Sequence, residues 1–310
     1  MPSILITEFM DDAAVARLKA KYETRYDPGL VDRPDELADA VKDLDVLIVR
    51  NRTQVRGAVL DGAAKLKCVG RLGVGLDNID VEACKARKVA VYPATGANDL
   101  SVAEYVMTAA LMLHRRAWLS TASVLAGEWP RQKAVGNEIA GKTMGLVGLG
   151  SIAREVAWRA QAYGMQIVAF DPYLEAAHPA WQLARNVSLE GLLETADVVS
   201  LHVPLTESTR HMIGGRQFKT MRKGAVLINA ARGGVVDEEA LAEALRSGAI
   251  GGAALDVFET EPLTAEAGKK FAGLANLVLT PHIAGVTEES NVRVSNLIAD
   301  LVIAHLEKSS

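Results

Sequence analysis

Apolar and polar positions alternate in blocks along the whole chain. Short runs rich in Val, Ile and Leu fall at Ser3 to Thr7, Asp45 to Val49, Leu66 to Gly70, Val89 to Tyr92, Thr143 to Gly148, Gln166 to Phe170, Asp197 to Leu201, Ala225 to Asn229, Ile250 to Asp256 and Leu277 to Leu279. Longer stretches with helical spacing of apolar residues separate them. A strand without polar alternates must be covered on both faces, which is the situation of a parallel strand between two layers of helices. The predicted class is therefore α/β, with doubly wound parallel sheets.

Two segments join a loop directly to a helix start. In ATGANDLSVAEY, Ser101 and Glu104 have the spacing of a capping box, so a helix is predicted from there through Val102 to Leu113. In TPHIAGVTEES, Pro281 and Gly285 break the chain, Thr287 is the predicted N-cap, and Glu288 and Glu289 suit the positive end of a last helix. Both breaks fit two domains, residues 1–100 with 285–310, and residues 101–284 inserted between them. A chain of 310 residues can supply a core to each.

Composition then excludes several classes. Hydrophobic residues make up 49% and charged residues 23%, which argues for a globular chain. A net charge of -4 leaves no basic footprint for a nucleic acid. No run of 18 apolar residues suggests a membrane span, and no basic stretch precedes an apolar one at the N-terminus. The two cysteines, Cys68 and Cys84, lack metal-ligand spacing, so no metal site is expected and a reducing, cytoplasmic setting is.

Residues 143–159 read TMGLVGLGSIAREVAWR, a strand, a glycine turn and a helix. Gly148 permits the tight turn and Gly150 lets backbone approach a pyrophosphate. Ala153 is small enough for the helix to pack on its strand, and the amides of Ser151 and Ile152 open the helix towards an anion. The same glycines would also make a plain turn; an acid, Asp171, at the end of the next strand favours a dinucleotide. Pro172 and Tyr173 follow it in place of an Arg, which points to NAD over NADP.

GRLGVGLDNID (70–80), the glycine loop, HVPLT (202–206), NAARGGVVDEEAL (229–241), GGAALDVFETEPL (251–263) and LTPHIAG (279–285) follow one another in an order that closely resembles the D-2-hydroxyacid dehydrogenase family. The resemblance spans nearly the whole chain. It implies a Rossmann domain inserted into a flavodoxin-like substrate domain, NAD as cofactor, a small 2-hydroxy or 2-keto acid as substrate, a homodimer, and Arg232, Glu261 and His282 as the catalytic group. The chemistry agrees: a guanidinium fork holds a carboxylate, an imidazole carries the proton of the carbonyl oxygen, and a carboxylate orients the imidazole and favours its charged form.

The resemblance further implies that the amides of Val74 and Gly75 meet the substrate carboxylate. Around the cofactor it implies His202, Pro204, Thr209, Ala230, Arg232, Asp256, His282 and Gly285, beside Gly148, Gly150, Ser151, Ile152, Asp171 and Pro172. Asp256 would equally cap a loop, and His202 reads as structural. The resemblance makes the helical region from about 101 to 125 a dimer arm, although Leu111, Met112 and Leu113 fit burial within the domain as well. Trp129 and Trp158 read as packing anchors.

Two other functions are compatible with parts of this pattern. Formate dehydrogenases share the plan but carry Gln where this chain has Glu261. NAD(H)-sensing corepressors share the fold and catalytic group, but no tail for partner capture is visible. Within the family, VRNRTQV and the glycine segments most resemble the branch of D-3-phosphoglycerate, sulfolactate and hydroxypyruvate enzymes. The chain ends at Ser310, so no C-terminal regulatory domain or feedback by serine is expected. Arg50, Arg52 and Arg71 follow predicted strands and exceed what one carboxylate needs. Arg52 is the foremost candidate for a second substrate anion, such as a phosphate or sulfonate, with pairing to nearby acids as the alternative.

Overall fold

The computed structural model describes residues 1–308. The chain divides into two compact units, one of Met1–Asn98 with the chain from Val286 onward, the other Asp99–Gly285.

Among the described residues the first unit holds five strands, β1 (Ser3–Ile6), β2 (Glu23–Tyr26), β3 (Val46–Val49), β4 (Cys68–Arg71) and β5 (Ala90–Pro93). They pair in the order β2-β1-β3-β4-β5, all parallel, the flavodoxin-like order. The two-residue period of a strand sends Ile4, Ile6, Val46 and Ile48 to one core, and Leu5, Leu47 and Val49 to the other. Ile298, Ala299 and Val302 of the last helix, Glu288–Lys308, close the first of these cores. That helix starts as predicted, with the Thr287 hydroxyl accepting from the Ser290 amide at 3.0 Å.

The second unit holds seven, β6 (Thr143–Val147), β7 (Gln166–Phe170), β8 (Arg185–Asn186), β9 (Val198–Leu201), β10 (Val226–Asn229), β11 (Gly252–Leu255) and β12 (Leu277–Leu279). Their order is β12-β11-β10-β9-β6-β7-β8, again all parallel. The chain reverses direction at β6 and β9, the kind of switch point where open α/β sheets bind ligands. Helices Asp99–Arg115 and Ser151–Ala162 cover one face, around Val106, Ala110, Met144 and Val156. Helices 189–195, 215–220 and 238–246 cover the other, around Leu192, Phe218 and Leu241.

Two expectations need correction, the helix start and the tryptophan anchors, and one open alternative narrows. The helix predicted from Ser101 starts at Asp99, whose charge suits its positive end, and Ser101 lies buried in the first turn. Leu113 is buried within the unit, whereas the segment after that helix leaves Trp118, Leu119, Val124, Leu125, Trp129 and Val135 exposed. Trp129 and Trp158 are 76% and 62% exposed, so neither is a packing anchor within this chain. Among the described residues no helix is long and apolar enough to cross a membrane.

Candidate active site

In the second unit, β12, β11, β10, β9, β6 and β7 lie side by side, and each is followed at its carboxyl end by a residue singled out from the sequence. Arg232 comes after β10, Asp256 and Glu261 after β11, and His282 after β12. Gly148 follows β6, His202 follows β9 and Asp171 follows β7. Parallel pairing alone therefore gathers them along one edge.

The turn bearing Arg232 is shaped by Asn229, buried at the end of β10, whose amide donates to the Arg232 carbonyl at 2.9 Å and whose oxygen accepts from Ala231 at 3.1 Å. Gly233 then passes so close to the loop after β11 that a Cβ there would lie 1.7 Å from the Phe258 carbonyl oxygen. That approach brings the loop carrying Glu261 beside Arg232. The Glu261 carboxylate accepts from the Phe258 amide at 3.0 Å and meets His282 Nδ1 at 2.7 Å. Burial alone would push the Glu261 carboxyl up. The bonds from His282 and Phe258, with the charges of His282 and Arg232, outweigh it and hold the group below its ordinary range. A carboxylate on Nδ1 assigns a proton to that nitrogen and turns Nε2 towards any reactant. His282 is 43% exposed in its side chain.

Asp256 is fully buried and accepts from the Thr280 hydroxyl at 2.6 Å and from the Ile283 and Ala284 amides, each at 2.8 Å. Three of its lone pairs thus hold the loop that carries His282, the capping alternative left open by the sequence.

The dinucleotide-type residues form a second group. Gly148 adopts φ +90, and a Cβ on it would stand 2.6 Å from the His202 carbonyl oxygen. At Gly150 a Cβ would meet nothing within 4 Å, so the fold itself does not require glycine there. Gly150 caps the helix Ser151–Ala162 without a side-chain bond, leaving the first-turn amides of Ser151 and Ile152 without helical partners. Asp171 accepts from Leu149 at 2.9 Å and from Tyr173 at 3.0 Å, which fixes its carboxylate against the glycine turn. These features fit a dinucleotide: open space before a helix N-terminus, and an oriented acid one strand away.

His202 bonds Ser200 Oγ at 2.9 Å, and burial pushes its imidazole down to about 4, so it is a neutral structural group near neutral pH. Thr209 donates to the Pro204 carbonyl at 2.6 Å and accepts from the Thr206 amide at 2.8 Å, closing its own turn. Pro172 is exposed, and Ala230 and Gly285 are half-buried along the same edge.

In the first unit, Arg71 folds back over its loop and donates to the Leu72 and Gly75 carbonyls at 2.8 and 2.9 Å. It braces the Val74–Gly75 turn from within. Arg50 is largely buried, which pushes its guanidinium pKa down, and it bonds Asn291 at 2.9 Å. Arg52 makes a two-pronged ion pair with Asp32 in which both side chains are more than half exposed. The alternative of pairing with a nearby acid is thus present in the structure.

Several organising residues escaped the sequence reading. Glu8, buried after β1, accepts from the amides of Arg50, Arg52 and Thr53 at 2.9, 3.1 and 3.0 Å and so shapes the whole arginine loop. Glu238, buried at a helix start, accepts from the Glu259 amide at 2.7 Å and from Lys270 at 3.0 Å, bracing the loop after β11. A single Glu in a polar stretch carries no mark of such partners.

Comparison with known proteins agrees with this geometry. Residues 107–284 match the family model for the NAD binding domain of D-isomer specific 2-hydroxyacid dehydrogenases. The chain is 55% identical over 303 residues to an (S)-sulfolactate dehydrogenase of Chromohalobacter salexigens, covering 97% of each. It is 41% identical over 308 residues to a D-3-phosphoglycerate dehydrogenase of Methanocaldococcus jannaschii, covering 97% of this chain but 57% of that protein. Among solved structures, D-lactate dehydrogenase of Aquifex aeolicus, complexed with NAD and lactic acid, superposes with a TM-score of 0.88 at 27% identity, covering 99% of this chain and 96% of that one. On the fold, the matched domain and near full-length relatives, this chain belongs to the D-isomer-specific 2-hydroxyacid dehydrogenases, NAD-dependent oxidoreductases that interconvert 2-hydroxy and 2-keto acids.

Proposed function

We propose that this enzyme interconverts a D-configured 2-hydroxy acid carrying a second anionic group and its 2-keto acid, with (S)-sulfolactate and sulfopyruvate as the substrate pair. The observation carrying the chemistry is the 2.7 Å bond between His282 and Glu261 beside Arg232. The choice of substrate rests on the 55% identity to a sulfolactate dehydrogenase along nearly all of both chains. The (S) descriptor is consistent with D-isomer specificity. In lactate the carboxylate outranks the methyl group, whereas the sulfur in sulfolactate makes the CH2 arm outrank the carboxylate. The same spatial arrangement that is (R) in D-lactate is therefore named (S) in sulfolactate.

Gly148, Gly150, Ser151, Ile152 and Asp171, with contributions from Pro172, His202, Pro204, Thr209, Ala230, Asp256 and Gly285, would hold NAD, which when bound would supply or accept the hydride. Arg232 lays its fork on the substrate carboxylate and polarises the neighbouring carbonyl. His282 delivers a proton from Nε2 to the carbonyl oxygen in reduction and removes it in oxidation. Glu261 keeps the ring aimed through Nδ1. In the unit Met1–Asn98, the Val74 and Gly75 amides hold the carboxylate, and Arg52 exchanges Asp32 for the sulfonate. That unit serves as the substrate domain and Asp99–Gly285 as the NAD domain. The free, buried thiols of Cys68 and Cys84 support a reducing cytoplasmic setting. The exposed apolar residues at 118–135 support a homodimer.

The test compares kcat/KM with NADH for pyruvate, hydroxypyruvate, phosphohydroxypyruvate and sulfopyruvate in wild type and Arg52→Ala. Sulfopyruvate is expected to lead. Arg52→Ala should lose about 10- to 100-fold on the dianionic substrates and little on pyruvate, the size of a charged hydrogen bond. A mutant that keeps the dianion advantage overturns the role of Arg52. A phosphohydroxypyruvate optimum transfers the substrate to the phosphoglycerate type.

A further inference from the structure

The Thr280–Asp256 bond that supports the His282 loop extends to a side chain, Tyr105, to which none of the roles above assigns a purpose. Tyr105, on the helix Asp99–Arg115, places its hydroxyl 2.6 Å from Thr280 Oγ1. Thr280 Oγ1 in turn reaches Asp256 Oδ1 at 2.6 Å. A carboxylate only accepts, so the single hydroxyl proton of Thr280 goes to Asp256, and Tyr105 must donate to Thr280. Burial, seconded by the charge on Asp256, pushes the Tyr105 phenol up against the opposing pull of the Thr280 bond, so the phenol keeps the proton it has to donate.

The far end of the chain is the turn 280–284. Asp256 accepts the Ile283 and Ala284 amides, immediately after His282, and the His282 amide donates to the Thr280 carbonyl at 3.0 Å. His282 itself has φ +56, a left-handed conformation that a non-glycine residue keeps only where its surroundings over-determine it. Those surroundings are the Thr280 and Asp256 bonds on the backbone side and Glu261 on the ring side.

We propose that Tyr105 is a positioning residue for His282, acting through Thr280 and Asp256 to hold the 280–284 turn in the conformation that aims the imidazole. The inference rests on the reading of His282 as the proton carrier. Tyr105 touches neither substrate nor cofactor in this role. Its loss should appear in turnover and not in cofactor affinity.

Tyr105→Phe keeps the buried ring and removes only the hydroxyl. It is expected to lower kcat for keto-acid reduction about 3- to 10-fold, the effect of one neutral hydrogen bond. KM, NADH affinity by fluorescence titration and the melting temperature should stay near wild type. Thr280→Val, which strips a donor from a buried carboxylate, should cost about 10- to 100-fold in kcat, and Thr280→Ser should restore most of that loss. Adding Tyr105→Phe to Thr280→Val should cost nothing further, because the link is already cut. Wild-type kcat in Tyr105→Phe, multiplying losses in the double variant, or a loss shared equally by NADH affinity overturns the proposal. His282→Ala run alongside keeps the two claims apart. It should fall about 100- to 10,000-fold, and near-normal turnover there defeats the reading of His282 itself. An inactive His282→Ala beside a fully active Tyr105→Phe removes only the role of Tyr105.

Discussion

Glu261 sits where burial and hydrogen bonding oppose each other, and the bonds to His282 and the Phe258 amide win. A carboxyl held below its unfolded value stabilises the fold fully above the ordinary carboxylate range, and that contribution disappears as pH falls through the depressed value. Denaturant midpoints from neutral pH down to about 3.5 should therefore show wild type losing its advantage over Glu261→Gln as the solution is acidified. A stability gap that stays constant with pH would remove the ionised Glu261 from the account. As candidates, Arg232, Glu261 and His282 were legible because they stand in motifs of known order. Glu8, Glu238 and Tyr105 were not. Their importance comes from partners 21 to 175 positions away, and one polar residue carries no trace of a distant amide or hydroxyl.

The element that begins with the glycine loop separates what the fold needs from what a ligand needs. At Gly148, φ +90 and the His202 carbonyl 2.6 Å from a would-be Cβ both forbid a side chain. Gly148→Ala is expected to destabilise the protein by roughly 1–3 kcal/mol and to weaken NADH binding with it. Gly150 has an ordinary φ of -69 and open space where its Cβ would go. Gly150→Ala should keep the wild-type melting temperature while NADH affinity, read by fluorescence, falls. An unchanged affinity would mean that the space before this helix is not where the pyrophosphate lies. Strand prediction failed at β2 and β8 for a related reason. Each lies at a sheet edge, β2 with the polar sequence ETRY and β8 only two residues long, so neither needs the apolar run by which central strands were recognised.

On the surface of the molecule the apolar stretch from Trp118 to Val135 stands open, with Leu125 84% and Trp129 76% exposed. Light scattering is expected to give the mass of two chains for wild type, and Leu125→Glu should shift it towards one. A monomeric wild type at micromolar concentration would leave this surface to some other partner. By itself the amino-acid sequence determined the class of fold, the parallel character of its sheets, the two breaks between the units and the candidates for a catalytic group. These follow from periodicity, from glycines at turns and from motifs that are local along the chain. Only the tertiary structure decided that Asp256 binds the loop of His282, that Arg52 is paired with Asp32, and that Tyr105 reaches that loop through Thr280. Hydrogen bonds and ion pairs act over about 3 Å in space, and which distant residues come that close is settled only when the sheets have packed.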